Sequence, residues 1–198
     1  MSLAAKRFDV AIERIQLIRD TAHDLRIRPI SRDKSQALLH ASLAGYVAAW
    51  EAYLEQLVRD FYDTTGSPLL PEFHAMHTLA KDQAHESIKR FNTPNADNSR
   101  VLLVKHTGLD PIGIWVWPAR RMNGVQVRER LSEILTVRHS FAHGFQMPSY
   151  LWNTSAGGQL ALNWKAIATT EAFFKHLVKR TDLAMRQHIK STYSLTLP

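Results

Sequence analysis

The strongest constraint on the fold is an apolar stripe that repeats every three or four positions through the segment 38–62. The stripe consists of Leu39, Leu43, Tyr46, Trp50, Tyr53, Leu57 and Phe61. This spacing matches the 3.6-residue turn of an α-helix and predicts one long helix that ends near Thr64. Ser31 or Asp33 can cap its start. Further apolar residues widen the stripe, so we expect this helix to be the central and most buried one.

The same period recurs through the rest of the chain and predicts further helices. Their expected ranges are 3–26, 70–91, 98–107, 124–143 and 165–190. Gly108 is placed to end the short fourth helix, since glycine readily adopts the left-handed conformation found after helix ends. The inward face of the last helix is predicted to carry Ile167, Phe174, Leu177, Val178 and Leu183. The sequence therefore predicts a single all-α domain over 1–198, a bundle of five or six helices.

Two segments between the predicted helices do not follow a helical period. Segment 109–122 contains two prolines together with Trp115 and Trp117, and it is expected to be an irregular loop. The two tryptophans could stack on nucleic-acid bases, although packing against the bundle is the better expectation. Segment 150–163 places apolar pairs on both sides of a small-residue turn, which favours a small β-hairpin insertion.

Composition excludes several classes of function. The chain has no cysteine, which excludes disulfides, thiol catalysis and thiolate metal sites, and it favours a reducing, cytoplasmic location. Charged residues such as Lys6 and Arg7 interrupt the N-terminal segment, so no signal peptide is expected. The most apolar run carries Glu51, Glu55 and Arg59, so no membrane span is expected either.

The formal net charge is +7, and most of the surplus lies in the segments 120–138 and 165–190. A basic surplus favours a polyanionic partner such as nucleic acid. A solvated, mildly basic surface without such a partner is the alternative, and charge alone does not decide between them.

Arg138 is a charged residue on an otherwise apolar helix face. Val127, Leu131 and Ile134 precede it at spacings that place all four side chains on the same stripe. Burying an unpaired guanidinium costs several kcal/mol, about the penalty of any isolated buried charge. Arg138 therefore needs a partner, and His143 follows five positions later at the expected helix end.

Each of these residues also has a purely structural interpretation. Arg138 could form an ion pair with Glu51 or Glu55 of the second helix, and His143 could hydrogen-bond the last helical carbonyls. His139 and His143 are four residues apart, but no H-E-x-x-H arrangement supports a metal site there. A second histidine group is a still weaker metal candidate and is better explained as an exposed polar face. It consists of His74, His77 and His85.

The segment from Arg138 to Gly144 resembles the HEPN superfamily, whose hallmark is an arginine followed after four to six residues by a histidine. A polar residue usually follows that arginine, and here it is His139 where asparagine is more common. Further matching segments occur in the order typical of the RiboL-PSP-HEPN branch. They are Ala48–Tyr53, the turn Phe91–Pro94 and Gly108.

This resemblance implies a metal-independent endoribonuclease that needs no cofactor and acts as a homodimer. The RNA 2′-hydroxyl would attack the adjacent phosphorus, with His143 as general acid or base and Arg138 holding the phosphate. His139 and Ser140 would orient these groups or add contacts, and Glu51 could orient Arg138. The predicted helix supports the dimer, because positions 138 and 143 lie about 140° apart around it, so that one copy does not close a compact site.

The resemblance also implies a biological role, namely a toxin or anti-phage effector with RNA as substrate and an antitoxin or regulatory protein as a further partner. Two other classes of function stay open on the sequence alone. One is a catalytically inactive HEPN module that binds RNA, a nucleotide or a partner protein. The other is a helical scaffold in which Arg138 is part of a structural ion pair.

Overall fold

The computed structural model of the protein describes residues 1–24, 30–66, 70–144, 146–154 and 162–197. These residues form an all-α bundle, which confirms the predicted fold class. The helices are α1 (Leu3–His23), α2 (Arg32–Thr64), α3 (His74–Lys89), α4 (Ala96–Thr107), α5 (Gly124–Ala142) and α6 (Trp164–Tyr193). Short 3₁₀ turns precede α3 at Pro71–Phe73 and α5 at Pro118–Arg120.

Local sequence accounts for where most of these helices begin. Five of them start at a polar residue whose side chain accepts a hydrogen bond from a backbone N–H three residues later, namely Ser2, Ser31, Asn95, Asn123 and Asn163. At α5 the bond is reciprocal, because the Gln126 side chain also accepts from the Asn123 N–H at 2.9 Å. Such a cap stabilises a helix by about 1 kcal/mol.

The core confirms that α2 is the central helix. It packs against each of the other five helices, and all six contribute to one cluster of buried apolar residues. Trp50 lies fully buried in its middle, with the rings of Tyr53, Trp115 and Phe174 within 6.1 Å. The Trp50 indole N–H donates to the carbonyl of Pro94 at 3.2 Å, which ties the turn before α4 to the core.

The loop before α5 packs as expected, since Trp115 and Trp117 are only 0% and 7% exposed. One predicted core residue is wrong: Leu183 is 48% exposed. It lies nine residues after Phe174, and nine steps of about 100° place it on the opposite side of the helix. The predicted β-hairpin falls largely on 155–161, outside the described residues, and 151–153 before it form a turn.

None of the helices in the described ranges is both long enough and apolar enough to cross a lipid bilayer.

Candidate functional site

The predicted stripe of α5 is present and ends at Arg138. Val127, Leu131 and Ile134 are fully buried, whereas Arg138, next along the same face, is half-buried. The helix ends at Ala142, so Arg138 lies near the end where the bundle gives way to solvent. An arginine in such a position can cover apolar surface with its aliphatic stem while its guanidinium stays near solvent.

Arg138 has no close ionic partner within the described part of the chain, where no carboxylate oxygen comes within 4.0 Å of its guanidinium. Of the two carboxylates proposed as partners, Glu55 pairs with another arginine, because its Oε2 lies 3.5 Å from Arg59 Nη2. Glu51 is half-buried and close enough to respond to Arg138: burial and the charge of Glu55 raise its pKa, and Arg138 opposes that rise. Arg138 and Glu51 thus interact electrostatically at a distance without forming a close ion pair.

Backbone hydrogen bonds end α5 at His143. Its N–H donates to the carbonyl of His139 at 3.1 Å, and the N–H of Gly144 donates to the carbonyl of Phe141 at 3.3 Å. Gly144 has a φ of 67°, a left-handed conformation that glycine adopts without strain and that turns the chain away from the helix. The His143 side chain is consequently exposed at the helix end.

His139 lies one turn before His143, and the centroids of the two imidazole rings are 6.0 Å apart. His139 is half-buried, and burial is the main reason why its pKa falls below the usual value. The charges of Arg138 and His143 lower it further. Near pH 7 the His139 imidazole is therefore neutral and can accept a proton.

Ser140 is placed differently from the other predicted site residues. It is only 5% exposed, and its hydroxyl donates to the carbonyl of Val137 at 2.8 Å. The hydroxyl proton is thus engaged inside its own helix, which points to a role in packing the end of α5.

His40 of α2 is a residue of this region that the sequence reasoning missed. Its ring stacks on Phe141, with the centroids 4.2 Å apart and the planes within 6° of parallel. Burial lowers the pKa of His40, and its Nδ1 has no hydrogen-bond partner in the described residues. His40 and Glu51 are eleven residues apart, three helical turns, so a helical wheel of α2 would have placed both on one face.

Candidate metal ligands in the described part of the chain are its His, Asp and Glu side chains. Within the described ranges, no three or more His, Asp or Glu side chains group together as the ligands of a metal ion would. The histidines of α3 were the weaker metal candidates. Among them, His77 has a hydrogen-bond partner for its ring, because its Nε2 lies 3.2 Å from Thr65 Oγ1.

Comparison with known proteins identifies no relative. No protein-family model matches the chain, and neither the curated proteins nor the solved structures contain a match. Membership of the HEPN superfamily thus stays a prediction carried by the sequence motif.

Proposed function

We propose that this protein is a metal-independent endoribonuclease of the HEPN type, with Arg138 and His143 as its catalytic residues and His139 as a further candidate for proton transfer. The observation that carries the proposal is the end of α5, where a half-buried arginine without a close ion pair precedes an exposed histidine. A phosphate of the RNA backbone would supply the negative partner that Arg138 lacks among the described residues, through charge-assisted hydrogen bonds.

The two histidines differ in a way that suits general acid–base catalysis. His139, neutral near pH 7, is a candidate to accept the proton of the attacking 2′-hydroxyl. His143 is exposed at the end of α5, and it would donate a proton to the leaving 5′-oxygen. Arg138 would stabilise the negative charge that develops on the phosphorane.

A second copy of the chain would complete the site. Phe141 and His143 expose their side chains at the end of α5, so this surface is available to a two-fold partner. Basic residues on α6 would contribute to the attraction of RNA. Those with exposed side chains are Lys165, Lys175, Lys179, Arg186 and Lys190.

The test is incubation of the purified protein with end-labelled RNA in EDTA, comparing wild type with His143→Ala and Arg138→Gln. Cleavage by the wild type should leave a 2′,3′-cyclic phosphate, because the attacking group is the RNA's own 2′-hydroxyl. Both variants should lose cleavage while keeping the helical circular-dichroism spectrum.

Two matched variants serve as controls: His85→Ala on α3 and Arg14→Gln on the exposed side of α1. Both should cleave at the wild-type rate. Undiminished cleavage by His143→Ala would contradict the proposal. Sedimentation velocity tests the dimer, which Phe141→Glu should dissociate by placing a charge in the interface.

The toxin or anti-phage role belongs to the same proposal and depends on the motif alone. RNA binding without cleavage by the wild type would favour the inactive HEPN module. In a purely structural scaffold, the role of Arg138 would instead be its charge interaction with Glu51.

A further inference from the structure

A pocket of about 260 Å³ lies between the end of α3 and one face of α4, on helices that do not carry the Arg138 motif. Its polar lining includes Arg90, Lys105 and His106, and its apolar wall includes Phe91 and Val101. A neighbouring hollow of about 350 Å³ shares Arg90 and Lys105 with it. The two cations thus stand between two concave surfaces.

Arg90 and Lys105 differ from nearby cations in how they are neutralised. Lys89 lies 2.6 Å from Glu86, and Arg100 lies 2.6 Å from Asp110. Neither Arg90 nor Lys105 has a carboxylate within 4.0 Å in the described residues, and no Asp or Glu of those residues lines the pocket. The lining of this pocket therefore holds two cations and no carboxylate, whereas Asp82 and Glu86 line the neighbouring hollow, and the charge of Arg90 contributes to lowering the pKa of Glu86.

His106 provides a second, independent observation. Its side chain is only 6% exposed, yet its Nε2 has no hydrogen-bond partner within the described residues. Leaving a buried polar atom unsatisfied costs about 1–3 kcal/mol. Burial lowers the pKa of His106, and the charge of Lys105 lowers it further. The imidazole is accordingly neutral and can donate to, or accept from, a group that enters the pocket.

The apolar wall decides which kind of anion fits. Phe91 is half-buried, and it adjoins Val101 and Leu102 along the pocket. A bare inorganic anion would satisfy the cations and leave this wall uncovered. A ligand that joins an anionic group to an aromatic or apolar one would cover both surfaces.

We propose that this pocket binds a phosphate monoester, with the phosphate between Arg90 and Lys105 and the esterified group against Phe91. His106 lines the same pocket, and a ligand there would reach its unsatisfied Nε2 by shifting the side chains that enclose that atom. Such a ligand could be a free small molecule or the terminal phosphate of a nucleic-acid strand, and the recognising chemistry is the same. The site is separate from the proposed ribonuclease site and does not depend on it.

The probe is phenyl phosphate, titrated calorimetrically into the wild-type chain at low ionic strength with inorganic phosphate as comparison. Phenyl phosphate should bind more tightly than inorganic phosphate because only it covers Phe91. Arg90→Gln and Lys105→Gln should each weaken binding about tenfold, the usual consequence of losing a charge-assisted hydrogen bond. Both side chains are on the surface, so the variants should keep the wild-type melting temperature.

Lys6→Gln is the matched control, since it removes the same charge from an exposed position on α1, away from the pocket. It should bind phenyl phosphate within twofold of wild type. Equal weakening by all three variants would mean attraction to net charge alone and would overturn the site, as would wild-type affinity in Arg90→Gln and Lys105→Gln.

Chemical-shift mapping locates the ligand and needs no variant. Phenyl phosphate should shift the backbone amides of Phe91 and Lys105 and the imidazole of His106, whereas shifts confined to 138–143 would refute the assignment. A 5′-phosphorylated DNA tetranucleotide, compared with its 5′-hydroxyl form, separates the two sources. If the 5′-phosphorylated strand binds more tightly than phenyl phosphate and the 5′-hydroxyl strand does not bind, the ligand is a strand terminus. If phenyl phosphate binds as tightly as the phosphorylated strand, the ligand is a free small molecule. If neither compound binds, the proposal is overturned.

Discussion

Buried charges are treated in opposite ways at the start of α1 and at the end of α5. At the start of α1, Asp60 and Asp182 are 4% and 6% exposed, and both accept hydrogen bonds from backbone N–H groups. Asp60 accepts from Ala4 at 2.9 Å and also from the Gln56 amide at 2.7 Å. At the end of α5, Arg138 has no comparable close partner among the described residues.

The difference separates structural charges from candidate functional ones. The two aspartates meet the positive end of the α1 macrodipole and satisfy N–H groups that a helix start leaves unpaired. Hydrogen bonds within the chain already satisfy both carboxylates, so they need no ligand as a partner. The end of α5 instead keeps a cation and two imidazoles near solvent, where a substrate or a second subunit could complete the arrangement. Four predictions test this contrast.

The largest effect is expected at the end of α5 and concerns activity. His143→Ala should lower RNA cleavage at least about 100-fold, the lower end of what general acid–base catalysis contributes. Because the side chain is exposed, the free energy of unfolding in urea should stay within about 0.5 kcal/mol of wild type. A large loss of stability together with activity would place His143 with the structural charges instead.

The start of α1 should respond in the opposite manner. Asp60→Ala leaves the buried N–H of Ala4 unsatisfied and should lower the free energy of unfolding by about 1–3 kcal/mol. The control is Asp63→Ala on the same helix, whose carboxylate forms an exposed ion pair with Lys81 and whose loss should cost about 0–1 kcal/mol. Cleavage per folded molecule should be unchanged in both, and equal destabilisation would contradict the contrast.

A smaller effect is expected where α2 supports the end of α5. His40→Ala removes the stack on Phe141 and should cost about 0.5–1.5 kcal/mol in chemical unfolding. His40→Phe keeps a ring in that place and removes the unpartnered Nδ1, so it should be at least as stable as wild type. If His40→Phe destabilises as much as His40→Ala, the hydrogen bonding of His40 matters more than its ring.

The smallest effect is a dependence of stability on pH. The pKa of His40 is lowered by burial in the folded chain, so below its ordinary value of 6.5 the unfolded chain binds more protons at this residue. The stability that comes from the neutral imidazole is fully present above pH 6.5 and is lost as pH falls towards the folded-state pKa. Urea unfolding at pH 7.5 and 5.5 should therefore show a smaller loss for His40→Phe than for wild type; an equal loss would contradict the shift.

Much of the fold was predictable because helices are specified locally. The apolar stripes, the polar caps and Gly108 give nearly the observed helix bounds, and the burial of Trp115 and Trp117 followed from composition. Leu183 was assigned inward because it is apolar, and its angle around α6 shows the opposite. The sequence also placed Arg138 on the buried stripe of α5, which the structure bears out.

The surroundings of Arg138 were not predictable, since they depend on how α2 and α5 cross. Periodicity put Glu51 and Glu55 on the same helix without deciding which of them would respond to Arg138. His40 was overlooked because its contact is with Phe141, about a hundred residues away along the chain. The pocket at Arg90 and Lys105 requires the packing of α3 on α4, to which no local pattern points.

The sequence by itself determined the helices, their order and the residues that could carry chemistry, because hydrogen bonds and apolar periodicity within a helix depend on neighbours three and four residues away. Only the tertiary structure decided which charges are satisfied. Asp60 and Asp182 look in the sequence like any other acidic residues on amphipathic helices, and packing alone joins them to the start of α1. The same packing leaves Arg138 and His143 at an accessible helix end, since pairing of charges between helices is a property of distance in space.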